Sequence, residues 1–198
     1  MKKQVFIIFI ISLFLLTGCS TDTTDPEKTS VITKGDYPYY EDERDIYEKA
    51  SLVIRGIVIE KRMEFMSPVT KLTQEEKRDP KLNPGGDIDK EKELFTIYKV
   101  QIIDSFKGDA VKDDIVEIKQ LGGEKDNTIY IEEGGPQINQ NSEYIMFLET
   151  YEDSPATLLN NMQSLYNVED GKIISHPDND FNMTIEKLEN LSNGKKTD

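Results

Sequence analysis

The chain has no tryptophan, one cysteine and one histidine in 198 residues. A lone cysteine cannot close an internal disulfide, so no bridge framework braces the fold. One cysteine and one histidine also cannot build a tetrahedral Cys/His zinc cluster. Basic charge is scarce: 24 Lys and Arg stand against 38 Asp and Glu, for a formal net charge of −14. That balance repels a phosphate backbone, and no basic stripe offsets it, which argues against nucleic acid as a partner. Docking onto anionic lipid headgroups is disfavoured for the same reason. Long apolar runs are missing apart from one at the N-terminus. The hydrophobic share is 36%, within reach of a modest core in one domain with appendages.

The one apolar run is VFIIFIISLFLL, from Val5 to Leu16, behind a basic Met1-Lys2-Lys3 start. It is too short for a membrane-spanning helix, which needs roughly 20 residues. A basic start, a short apolar stretch and small residues behind it define an export signal. Leu16-Thr17-Gly18-Cys19 resembles the lipobox of bacterial lipoproteins. The resemblance implies that residues 1–18 are a cleaved signal peptide. It also implies that Cys19 carries a diacylglyceryl group on its thiol, with palmitate-type chains. Each buried CH₂ contributes roughly 0.8 kcal/mol, and two or more chains anchor stably. The expected location is the extracytoplasmic face of the cell membrane, with the membrane engaged only through lipid on Cys19. A lipidated thiol serves neither as nucleophile nor as redox centre.

Residues 19–36 are rich in Thr, Ser and Asp and read as a lipidated flexible tether. Residues 42–50 read as a short helix, with Ile46, Tyr47 and Ala50 on one face. LVIRGIVIEKRMEF, from Leu52, reads as a strand in which Gly56 marks a bulge or bend. Residues 66–93 hold three prolines and Pro84-Gly85-Gly86, and read as a long polar loop. Further strands are expected over 94–106, 114–120, 128–132 and 143–149. Tyr98, Val100 and Ile102 share a face in the first of these, Val116 and Ile118 in the second. Residues 164–168 lead into a turn at Glu169-Asp170-Gly171-Lys172 and a return strand at Ile173 and Ile174. A tail helix is expected from 184 to 191, capped by Thr184, and a disordered tail over 194–198. Short strands with Gly-rich turns between them predict a mainly β domain over 37–193, a small barrel or sandwich.

Ala50-Ser51-Leu52-Val53-Ile54-Arg55-Gly56-Ile57-Val58 carries a further likeness. It continues through Tyr98–Ile102, Phe106-Lys107-Gly108-Asp109 and Glu143–Leu148. Together these resemble netrin-like and tissue-inhibitor-of-metalloproteinase-like domains over about 100 residues. The resemblance implies a small five-stranded OB-type barrel with a short helix at each end. Inhibitors of that family chelate zinc through a free N-terminal Cys and are braced by disulfides. Here Cys19 matches a lipid acceptor and has no second Cys to pair with, so zinc-directed inhibition does not carry over.

No catalytic, cofactor or metal set stands out. His176 has no Cys or G-x-S-x-G serine to activate, and His176-Pro177-Asp178 reads as a polar turn. Asp87–Glu91 and Asp178-Asn179-Asp180 lack the spacing of an EF-hand loop. Gly122-Gly123 and Gly134-Gly135 lack the Gly-Lys-Ser/Thr of a phosphate loop and read as strand-end turns. Tyr37, Tyr39 and Tyr40 read as packing the tether onto the domain rather than stacking a sugar. The sequence therefore predicts a lipid-anchored interaction domain, more a binder than an enzyme, for a protein, peptide or envelope component. Two alternatives stand beside it: an envelope hydrolase using paired carboxylates, with one raised pKa, or an accessory subunit of a membrane assembly.

Overall fold

Runs rich in Val, Ile, Tyr and Phe with period two favour strands over helices. The computed structural model describes residues 28–68, 78 and 92–194. The leader, Cys19, the Asp87–Glu91 run with most of the 66–93 segment, and residues 195–198 lie outside the described residues. The strands are β1 (Thr29–Thr33), β2 (Leu52–Met66), β3 (Glu93–Lys107), β4 (Ile115–Leu121), β5 (Gly123–Lys125) and β6 (Thr128–Glu132). They continue as β7 (Glu143–Glu149), β8 (Ala156–Leu158), β9 (Leu165–Glu169) and β10 (Lys172–Ile174). The helices are α1 (Glu43–Lys49) and α2 (Ile185–Ser192). The fold is mainly β, with one short helix ahead of the large sheet and one behind it. Among the described residues no helix is long and apolar enough to cross a membrane.

Each helix is started by a side chain that satisfies an otherwise unpaired backbone donor. Asp42 accepts from the Asp45 amide, and Thr184 accepts from the Lys187 amide. The turn between β9 and β10 puts Asp170 at φ 51° and Gly171 at φ 74°. Two successive positive φ values are what a two-residue hairpin needs to match strand twist.

The large sheet runs β10-β9-β7-β2-β3-β4-β8, and β7 also pairs with β8. The pairing thus returns to its start through β2, β3, β4, β8 and β7. These pairs are antiparallel except β4–β8, which is parallel. Alternation along the strands separates two apolar faces. Ile54, Val58, Tyr98, Val100, Ile102, Tyr144, Met146 and Leu148 pack into one cluster. Val53, Ile145, Phe147 and Tyr166 point the other way, where Ile46 of α1 and Leu188 of α2 close over them. At Gly56 the β2–β3 register shifts. A Cβ there would meet Val100 Cγ1 at 2.5 Å and the Gln101 carbonyl oxygen at 2.8 Å. The glycine expected to bend the strand is thus the residue that lets β3 approach.

A polar knot ties the entry of the domain to the loop before β9. Gln163, only 1% exposed, accepts from the Tyr40 amide at 3.0 Å and donates to the Tyr40 carbonyl at 2.9 Å. Asn160 donates to Gln163 Oε1 at 2.7 Å and to the Pro38 carbonyl at 3.0 Å. The Asn160 amide in turn donates to Ser164 Oγ at 2.7 Å.

The structure departs from the sequence expectation in three places. Residues 29–33 are not free tether: they form β1, paired in parallel with β6. β1 is almost wholly exposed, so backbone pairing rather than burial orders it. β6 does not join the large sheet but sits between β1 and β5 in a small one. The strand that pairs with β4 on its other edge is β8, absent from the sequence expectation, three residues long and too short to carry a visible alternation.

Candidate functional site

A cavity of about 370 Å³ opens where the small sheet meets the outward side of β3 and β4. Tyr37, Phe95, Lys119, Glu132, Tyr151 and Asn161 are among its lining residues. Its size falls in the range of small-ligand pockets.

Lys119 lies on β4 between Ile97 of β3 and Thr157 of β8. Its neighbour Ile118 faces the core cluster, so Lys119 points to the opposite side. It is nonetheless only 5% exposed. Its Nζ donates to Ser154 Oγ at 3.0 Å and stands 5.3 Å from the Phe95 ring centre and 5.8 Å from that of Tyr151. Burial pushes its pKa below the ordinary lysine value. Among the described residues no carboxylate forms an ion pair with it. Aromatic faces and one hydroxyl are thus what hold this cation.

Glu132, the last residue of β6, is 6% exposed. Its Oε1 accepts a short hydrogen bond from the Tyr37 hydroxyl, and its Oε2 is buried with no hydrogen-bond partner among the described residues. Burial, and then the Glu132 carboxylate, push the Tyr37 hydroxyl well above its usual pKa. Gly35 makes this meeting possible: a Cβ there would run into the Tyr37 ring and Glu132 Oε1. The lining therefore includes a buried cation with donor capacity to spare and a glutamate one of whose oxygens is buried with no donor among the described residues.

Such groups cost folding free energy. Lys119→Met keeps the volume and removes the charge. It should raise stability by about 1 kcal/mol, the desolvation saving exceeding the lost Ser154 bond and ring contacts. The sign with pH follows from the lowered pKa. Between that value and the ordinary 10.5 the unfolded chain binds more protons than the native one, so wild-type stability rises with pH there. Urea unfolding of both proteins at neutral and alkaline pH should show a larger rise with pH in wild type than in Lys119→Met, where Lys107, lowered by burial too, still contributes.

The residues singled out in the sequence do not converge on this cavity, apart from Tyr37. His176 accepts the Asp178 amide on Nδ1 at 3.1 Å and lies 3.8 Å from the Asp178 carboxylate, in a turn. The neighbouring Ser175 hydroxyl donates to the Phe181 carbonyl at 3.2 Å. Asn179 closes a local turn by accepting from the Phe181 amide at 3.0 Å. Tyr40 is buried in the cluster under the helices, whereas Tyr39 is exposed. Gly122 lies between β4 and β5 at φ 105°, and Gly134 follows β6 at φ 72°. Among the described residues no group of three or more His, Cys, Asp or Glu could hold a metal ion.

Among the described residues two carboxyls have displaced pKa values, and both are lowered. Burial would raise Glu43, but the Lys187 hydrogen bond, a backbone hydrogen bond and the Lys187 charge together outweigh it. The paired hydrogen bonds from Arg62, at 2.6 and 2.8 Å, lower Glu117. Both are opposite in sign to a general acid held protonated at neutral pH. Lys119, Glu132 and Tyr151 were not visible as a site in the sequence, because they share no motif and come from separate strands and a loop. Compared with known proteins, the chain matches no family model, and no curated protein resembles it significantly.

Proposed function

We propose that the chain is a lipoprotein held on the extracytoplasmic face of the cell membrane by acyl chains on Cys19. Its domain is an OB-type barrel of the netrin-like kind, and it binds a ligand rather than transforming one. The strand order supports the barrel. Taken as strands one to five, β2, β3, β4, β7 and β8 pair in the order 1-2-3-5-4-1, and strands three and five are the parallel pair. That is the pairing order of a five-stranded Greek-key barrel.

The observation that carries the binding half is where the cavity lies. OB barrels bind along the face of strands two and three and with the loop joining strands four and five. Here Phe95 and Lys119 stand on β3 and β4, and Tyr151 and Ser154 stand in the β7–β8 connection. Lys119 and Glu132, both in its lining, supply polar groups for a ligand in that place. The anchor half rests on Leu16-Thr17-Gly18-Cys19 behind its apolar leader.

Cys19→Ser removes the only thiol and with it the acyl chains. The variant should leave the membrane fraction almost entirely, while the wild type stays in it until detergent is added. Fractionation of intact cells reads the difference. A Cys19→Ser protein that still sediments with membranes would contradict the anchor.

A further inference from the structure

We propose that the cavity between Lys119 and Glu132 takes a short peptide with both ends free, its carboxylate on the Lys119 ammonium and its ammonium on the Glu132 carboxylate. The inference rests on the reading of this face as the binding face, and it names the ligand class.

Three observations point to a zwitterion. The first is that both charged groups are more than nine-tenths buried, line one cavity and do not pair with each other. A buried charge pair offset from mutual contact is a template for a ligand of opposite polarity. The second is the balance around the opening. Among the described lining residues Lys119 is the one cation, while Asp36, Glu93 and Glu132 are carboxylates. A purely anionic ligand such as phosphate would meet three like charges for one opposite, whereas an ammonium on the ligand turns that excess to advantage. The third is the wall. Phe95, Leu121 and Leu158 line the same space and suit an apolar side chain between the two ends. Glu132 Oε2 has no donor among the described residues, and a ligand ammonium that displaces its covering and reaches it supplies one.

Isothermal titration of the full-length protein in detergent tests this with Gly-Leu, its N-acetyl form and its C-terminal amide. Gly-Leu should bind at least tenfold more tightly than either blocked form. Lys119→Met should remove the preference for the free carboxylate and keep that for the free amine. Glu132→Gln should do the reverse. Lys119→Gln replaces the Met variant if that one does not unfold cooperatively. Equal binding of all three probes overturns the ligand class and leaves the binding face intact. Gly-Leu binding that neither variant alters places the site elsewhere and overturns the binding face with it. No heat from any probe up to millimolar concentration overturns the proposal.

Discussion

Phe147→Ala should destabilise the domain by about 3–5 kcal/mol, a large part of the roughly 5–15 kcal/mol that holds a typical domain folded. Phe147 is fully buried on β7 and packs with Tyr166, ring centres 5.9 Å apart and tilted by 59°. On the strand beside it, Val53 is its register partner. It belongs to the apolar floor on which Ile46 and Leu188 rest, so the truncation undermines both helices at once. The sheet is hydrogen-bonded on both sides of Phe147 and cannot collapse into the gap, which adds a cavity cost to the lost transfer free energy. Urea unfolding followed by circular dichroism measures it. A loss below 1 kcal/mol would mean that the helices do not rest on this face.

Gln163→Leu should cost about 3 kcal/mol although it keeps size and raises hydrophobicity. Gln163 satisfies the amide and the carbonyl of Tyr40 and the side-chain amide of Asn160. All these groups are shut off from water, and each one left unpaired costs roughly 1–3 kcal/mol. Leucine there leaves the Tyr40 amide and carbonyl unpaired and the Asn160 side-chain amide with the Pro38 carbonyl alone, and the residues ahead of α1 should detach first. Hydrogen exchange at the Tyr40 amide should accelerate by at least tenfold in the variant. Unchanged exchange would show that something else secures that segment.

The long strands were legible because burial imposes alternation on them. Tyr98, Val100 and Ile102 all reach one cluster, and the expected strand over 143–149 coincides with β7. The helices were legible through their caps and through apolar positions such as Ile46, Leu188 and Leu191, all buried in place. β1, β5 and β8 were not. β1 and β8 are ordered by pairing with distant chain and β5 by its hairpin onto β6, and three to five residues hold too little pattern to show it.

The cavity was hidden for a related reason. In DIVEIKQ the alternation of Val116 and Ile118 assigns Lys119 to the solvent side, which is correct for β4 alone. What buries it is Phe95 on β3 and Tyr151 beyond β7, neither visible from its own neighbours in sequence. Glu132 shows the same limit. A strand-end glutamate reads as solvated until Gly35 lets Tyr37 fold across it. The polar residues that matter here are those that tertiary contacts bury against their local pattern.

On the function proposed above, a diacylglyceryl group on the Cys19 sulfur holds the domain outside the cell. Intact mass spectrometry of the protein extracted from membranes tests that most directly. The expected spectrum shows a chain beginning at Cys19 and heavier than its sequence by a diacylglyceryl group. A chain that keeps its first eighteen residues, or one that begins at Cys19 with a bare thiol, would contradict it.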